Sequence, residues 1–296
     1  MKIIAPFEVT TERLQASNVS IDETEWTAGT YSQGDRRYVG TTLYEVVASS
    51  TDDEPTEGIN ADPPTWIRVG AINRFKMFDG VIDDQTANAE TVSVTIEGQG
   101  VSDGIALFNI NGIEATIRYT DSIDGLVYDQ TFSLQDDSAV VDWFNYYFAP
   151  IEQMRELIVT GLPTNVNPEI EVILDAGSGE ARIGELMIGR VQPLGVTNYR
   201  TQIGIIDYSR KEADDFGNRQ IVERRFSKTA DYVVTVETDN LAFVQRVLAD
   251  RRAKLTVYIG DEDRPETVVA GFYRDFRILM IAPTISDLSL EVEGLT

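Results

Sequence analysis

A chain of 296 residues, 42% of them hydrophobic and with no apolar run of membrane-spanning length, reads as a soluble protein of two or three domains. It contains no cysteine and no histidine, which excludes disulfides, thiol nucleophiles, thiolate or imidazole metal centres and the Ser-His-Asp and Cys-His hydrolases. Its net charge of −24 repels nucleic acid and anionic membrane and is uneven: residues 1–190 hold 11 basic against 32 acidic side chains, residues 191–296 hold 14 against 17. The second half is therefore expected to press against partners, and the first to face solvent.

Taken in chain order, residues 1–23 form an apolar, β-prone stretch, "MKIIAPFEVT" at its start, predicted as an extended arm. Such an arm adds a strand either to its own sheet or to a neighbour's, and the neighbour is favoured here. The stretch lacks the basic start and long apolar centre of a signal peptide, so no secretion address is expected. Residues 24–72 carry the spacing W-x-x-G-T-Y-x-x-G-D-x-x-Y, then "LYEVV" and "PPTWIRVG". Gly34-Asp35 is predicted as a tight hairpin turn, with Tyr31, Tyr38 and Tyr44 alternating along the flanking strands and Trp26 and Trp66 closing the two ends.

Residues 73–190 read as a β-sandwich, because "TVSVTIEG", "EATIRYT" and "EIEVILDAG" alternate apolar and polar residues between the turns "FDG", "INGI", "SIDG" and "DAGSGE". Within this part "PIEQMRELIV", 150–159, fits a short helix with Pro near its start and equally a strand after a turn. A linker is predicted at "GRVQPLGVTNYRTQIG". Residues 191–296 then form a β-rich docking domain with the strand "DYVVTVET" and one clear helix, "DNLAFVQRVLADRRAKL". Asp239 or Asn240 is expected to cap it, with Leu241, Val244, Val247 and Leu248 on its buried face. The fold class is mainly β: a small aromatic module, a jelly-roll-like sandwich and a C-terminal β-rich domain with one helix.

The aromatic spacing resembles the small chitin- and cellulose-binding carbohydrate modules, with Trp26, Tyr31, Gly34, Asp35, Tyr38, Tyr44 and Trp66 at the matching positions. The resemblance implies a glycan site on one or two exposed rings among Trp26, Tyr31, Tyr38, Tyr44 and Trp66. The competing use of the same rings is the core of a module too small for aliphatic packing. Residues 73–190 are similar to galactose-binding-like jelly rolls. The order of "ASNVS", the aromatic module, "NRFKMFDG", "DWFNYYFAPIE", "IGELMIGR", "DYSRKEADDFGNRQIVERRFSK" and "GFYRDFRILMIAPTISDLSLEVEGL" resembles a tailed-bacteriophage virion protein described as a carbohydrate-binding or tail-tip structural component.

That larger resemblance implies a structural part of the tail tip or fibre-attachment region, made in the host cytoplasm and carried in the virion. It would assemble in several copies, with other tail proteins and copies of itself as partners and host cell-surface polysaccharide as a further one. No cofactor, nucleic acid or membrane insertion is implied. A dedicated glycan-binding receptor protein is the alternative, and a carboxylate glycoside hydrolase using Asp79, Asp83 or Glu97 is a third reading that no opposed pair of acids supports.

The segment 207–228 mixes charge of both signs with Tyr208, Phe216 and Phe226, and with Arg210 and Arg224 it is expected to form a docking ribbon or a solvated hairpin turning at "DDFGN". Acidic loops such as "STDDEPTEGINAD" supply oxygens for calcium but lack EF-hand spacing, so no metal site is assigned.

Overall fold

The computed structural model describes residues 1–136, 142–148, 152–213 and 219–295. Apolar-polar alternation sets most of it into antiparallel strands, and the chain is mainly β. It opens with β1 (Lys2–Pro6) and β2 (Leu14–Ser17). The aromatic segment gives β3 (Tyr31–Ser32), β4 (Arg36–Val39), β5 (Thr42–Val46), β6 (Ser50–Thr51), the single turn α1 (Pro55–Gly58) and β7 (Trp66–Ala71). Next come β8 (Thr86–Glu97), β9 (Gly104–Phe108), β10 (Glu114–Asp121), β11 (Gly125–Ser133) and β12 (Gln135–Asp136). They are followed by α2 (Trp143–Phe148), β13 (Glu152–Gln153), β14 (Glu156–Thr160), β15 (Glu169–Ile183) and β16 (Glu185–Pro193).

The remainder holds β17 (Val196–Thr197), β18 (Gln202–Asp207), β19 (Arg210–Ala213), β20 (Arg219–Val222) and β21 (Phe226–Glu237). It ends with α3 (Leu241–Asp250), β22 (Thr256–Ile259), β23 (Val268–Met280) and β24 (Ile285–Gly294). No helix among the described residues is long and apolar enough to cross a membrane.

Two sheets make the sandwich. The sheet β11-β10-β15-β8-β2 lies over the β14-β9-β16 part of a ten-stranded sheet, and alternate residues such as Val94, Ile117 and Val172 meet Ile105, Leu107 and Ile188 in a fully buried core. That larger sheet continues past β16 through β1, β22, β23, β24 and β21 to β17 and β18. α3 buries Val244, Val247 and Leu248 against its C-terminal half, over Tyr232, Val234 and Leu288. The sheet curls, so that Ile158 near its β14 edge packs in one cluster with Val257, Val268 and Ala270.

The N-terminal segment is the joint. β1 pairs antiparallel with β16 on one edge and with β22 on the other, so it adds its strand to its own chain's sheet and not to a neighbour's. Its two isoleucines, both fully buried, feed different cores: Ile3 packs with Tyr258 and Val269, Ile4 with Met187 and Val257. The approach is close enough that a Cβ on Gly189 would lie 2.1 Å from the Ala5 carbonyl oxygen, so only glycine fits at position 189. The boundary read at residue 190 falls inside β16, and hydrogen bonding is continuous across it.

Other expectations need correction. Of the two forms left open for 150–159, the described part takes the strand, because Leu157 and Val159 alternate into the sandwich core as β14 pairs with β9, and α2 lies just upstream. "DAGSGE" is not a turn but an irregularity within β15, where the register against β8 shifts between Asp175 and Glu180. Neither Asp239 nor Asn240 caps α3 with its side chain, because Asn240 is already helical (φ −92°, ψ −2°) at the end of a preceding 3-10 turn.

Replacing Ile4 by Ala should cost about 2–5 kcal/mol, the range for a fully buried aliphatic truncation. Hydrogen exchange should then show β16 and β22 losing protection together; loss in one strand alone would contradict the jointing role.

Candidate docking surface and the aromatic module

In the aromatic module most of the rings are core. Trp66 is fully buried, Tyr31 and Tyr44 nearly so, and with Val46 they form one cluster against which Trp26 packs. Tyr31 meets Trp66 edge to face, with centroids 5.6 Å apart, while Arg37 stacks over the Tyr31 ring at 4.8 Å. The polar ends of these rings are bonded inward: the Trp66 indole N–H donates to the Asp53 carbonyl (3.0 Å) and the Tyr31 hydroxyl to the Thr27 carbonyl (2.6 Å). Tyr38 is half-buried and packs against Ala71, Ile72 and Phe75.

The five predicted glycan-binding rings therefore do not form an exposed row; Trp26 and Tyr38 alone keep an accessible face. The Trp26 indole nitrogen is itself buried without an acceptor among the described residues. Gly34-Asp35 turns the chain between β3 and β4, which lie in different sheets, and the hairpin turn proper falls at Gly40-Thr41, joining β4 to β5. Asp35 serves the earlier turn, between β3 and β4, by accepting the Ser32 N–H at 2.9 Å.

The predicted docking ribbon is a hairpin, β19 paired with β20, that extends the β18–β21 pair. Tyr208, Arg210, Arg224 and Phe226 are all exposed along it, while Phe216 and the "DDFGN" turn lie outside the described residues. Tyr208 donates its hydroxyl to Glu293 (3.0 Å) and Arg210 pairs with Glu212 (2.5 Å), so both are partly engaged within the chain. Two further cations tie the base of the ribbon to the sandwich: Arg225 to Asp83 at 3.0 Å, and Lys228 to Glu156. Between these ties lies a groove of about 560 Å³ with Phe108, Phe226, Val268 and Leu295 in its walls.

Sequence reasoning missed the strand beside the ribbon. β18 pairs with β21 on one edge and with nothing on the other among the described residues. From Thr201 to Ile206 it carries no charge, and Ile203 (49% exposed), Ile205 (65%) and the preceding Tyr199 (99%) stand open to solvent. The readable signal was the run "TQIGII" in a chain otherwise dense with carboxylates.

The carboxylates proposed for glycoside hydrolysis are not assembled. Asp83 is paired with Arg225, and Glu97 accepts from the Gln15 amide (3.3 Å) at the far end of β8. Asp79 instead neighbours Glu185, a residue only 4% exposed whose carboxyl accepts the Gly80 N–H at 3.0 Å. Burial pushes Glu185 up to about 9, and the nearby Asp79 charge adds to the rise. Burial likewise raises Asp79 to about 6, with Asp84 contributing.

No protein-family model and no curated protein matches the chain. Among solved structures it is similar to the chitosan-binding module 1 of a chitosanase/glucanase from Paenibacillus sp. IK-5, at 12% identity over 40% of this chain and 84% of that one, with a TM-score of 0.27. It is also similar to the lectin binding domain of Lectinolysin complexed with Lewis b, at 14% identity over 41% and 84%, with a TM-score of 0.28. Both overlaps are too loose to bear on the ligand of this chain.

Two outcomes follow for the module and the buried acid. Trp66→Ala should destabilise by about 3–5 kcal/mol without any saccharide present, whereas Trp26→Ala, at a half-buried ring, should cost less in the same thermal melts. Folded Glu185 keeps a proton that the unfolded chain releases above its ordinary value of 4.5, so its contribution is full below that pH and is lost as pH rises toward about 9. Urea titrations should show Glu185→Gln flattening that decline by up to about 1.4 kcal/mol per pH unit.

Proposed function

We propose that this chain is a non-enzymatic structural subunit of the bacteriophage tail-tip class its sequence resembles, assembling in several copies through the outer edge of β18 and the ribbon that extends it. The observation that carries this reading is the bare edge of β18, uncharged up to its last residue, Asp207. Natural sheets cover, shorten or charge an open edge because its free N–H and C=O groups template pairing with another chain, and β18 does none of these over Thr201–Ile206.

A second copy is the favoured occupant. Two chains of net charge −24 repel one another over most of their surfaces, and a neutral apolar strip is where they meet at least electrostatic cost. The ribbon adds Ile221 and Phe226, both more than half exposed, beside this strip. Its base is held by Arg225 and Lys228, which gives the docking surface a fixed position on the sandwich. Placement in a virion tail rests on the order of sequence motifs along the chain, and host-glycan contact through the module would fall to Trp26 and Tyr38.

Sedimentation of the isolated chain should show association that increases with concentration and with added salt, since salt screens the net repulsion. The double substitution Ile203→Lys with Ile205→Lys should leave a monomer whose stability is within about 0.5 kcal/mol of the parent, as for surface changes. A parent chain that stays monomeric in high salt, or a double variant that associates equally well, would overturn the reading.

A further inference from the structure

A polar hollow of about 660 Å³ opens beside the loop between β9 and β10, lined by Gln85, Asn109, Asn111, Gln153, Arg155 and Arg182, with Ile110 completing its wall. In a chain with 49 acidic and 25 basic residues, the described lining of this hollow contains no carboxylate, and both of its charged side chains are arginines. It also contains no aromatic ring.

Its side chains are tied from behind, which leaves their other ends open. The Gln85 amide N–H donates to the Asn109 carbonyl (2.7 Å), the Asn109 amide to the Ile82 carbonyl (2.9 Å) and the Asn111 amide to the Glu180 carbonyl (3.0 Å). Each amide thus uses its NH2 group on backbone, and its oxygen accepts from no group among the described residues. Arg182 pairs through Nε and Nη2 with Glu180 and retains Nη1, while the Arg155 guanidinium has no acceptor among the described residues.

The walls are rigid. Asn109 holds a left-handed backbone (φ 50°), and Asn111 and Arg182 exchange both of their backbone hydrogen bonds, at 2.9 and 3.1 Å. Ile110 donates its N–H to the Arg155 carbonyl at 3.1 Å. Gly184 lies so close beneath the loop that a Cβ there would stand 2.2 Å from the Ile82 carbonyl oxygen and 2.8 Å from the Asn109 Cβ. The three amide oxygens and the Arg182 guanidinium are therefore positioned before any ligand arrives, which lowers the ordering cost of binding.

We propose that this hollow binds a hydroxyl-rich carboxylate, namely a uronic-acid residue of an acidic saccharide. Arg155 and the free Nη1 of Arg182 take the carboxylate in charge-assisted hydrogen bonds, and the three amide oxygens accept from ring hydroxyls. Gln153, whose backbone pairs with β12 and whose side chain has no hydrogen bond among the described residues, supplies both a donor and an acceptor. Neutral pyranoses that bind by stacking find no ring here. The hollow shares Asn109 and Arg155 with the groove at the base of the ribbon but no residue with β18, so its test is read on ligand binding and not on association.

Calorimetric titration of the full chain with short oligomers of galacturonate, glucuronate and mannuronate tests this, with the methyl esters of the same oligomers and inorganic phosphate as comparisons. At least one uronate oligomer should bind, and its ester should bind at least about tenfold more weakly, about 1.4 kcal/mol. Arg155→Gln and Gln153→Glu should each weaken binding by about tenfold or more while leaving the melting temperature unchanged. Absence of binding by all three oligomers, equal binding of an ester, insensitivity to both substitutions, or phosphate binding as tightly as the uronate would each overturn the proposal.

Discussion

The structure depends on one strand being held on both edges. β1 lies between β16 and β22, and through its two faces Ile3 and Ile4 enter separate hydrophobic clusters. Without it the sandwich sheet would end at β16 and the C-terminal sheet at β22, each with an unpaired edge across an apolar face. The pairing is also remote in sequence, joining residues 2–6 to 189–193 and 257–259, so its loop-closure entropy must be met by the burial that it completes. The same joint brings the C-terminal sheet beside the sandwich, where Arg225 and Lys228 tie the base of the ribbon to it.

The module of residues 24–72 shows how the same residue types serve two ends. Trp and Tyr bury large apolar areas with few torsions to freeze, which suits a domain with little room for aliphatic packing. Trp66, Tyr31 and Tyr44 are used in that way, with their N–H and O–H groups bonded inward where a partner exists. Spacing alone could not separate a ring in a core from a ring on a surface, since both uses put aromatics on alternate positions of short strands. The structure separates them by burial, and it leaves only Trp26 and Tyr38 with open faces.

The strands were legible because alternation is a local signal. β8, β10, β15 and β21 lie where the pattern places them, and the amphipathic face of α3 is the one that packs. What could not be read were features set by distant partners. The start of the chain looks equally extended whether it pairs at home or abroad, and only β16 and β22 decide it. "DAGSGE" has the composition of a turn, yet pairing with β8 on either side keeps it within one strand. Glu185 and the hollow around Asn111 carry no motif, because their residues are brought together from β13, β15, β16 and the loops that flank β8, β9 and β14 by the sheet order alone.

The acidic surface and the neutral edge belong to a single physical account: charge keeps the chains apart except where charge is missing. Amide hydrogen exchange of the parent chain, followed across dilution, tests that account most directly. Protection within residues 202–207 should rise with concentration, while amides of the buried β1 and β16 stay constant. Exchange in 202–207 that is independent of concentration, or protection that instead appears first in the acidic loop before Trp66, would contradict it.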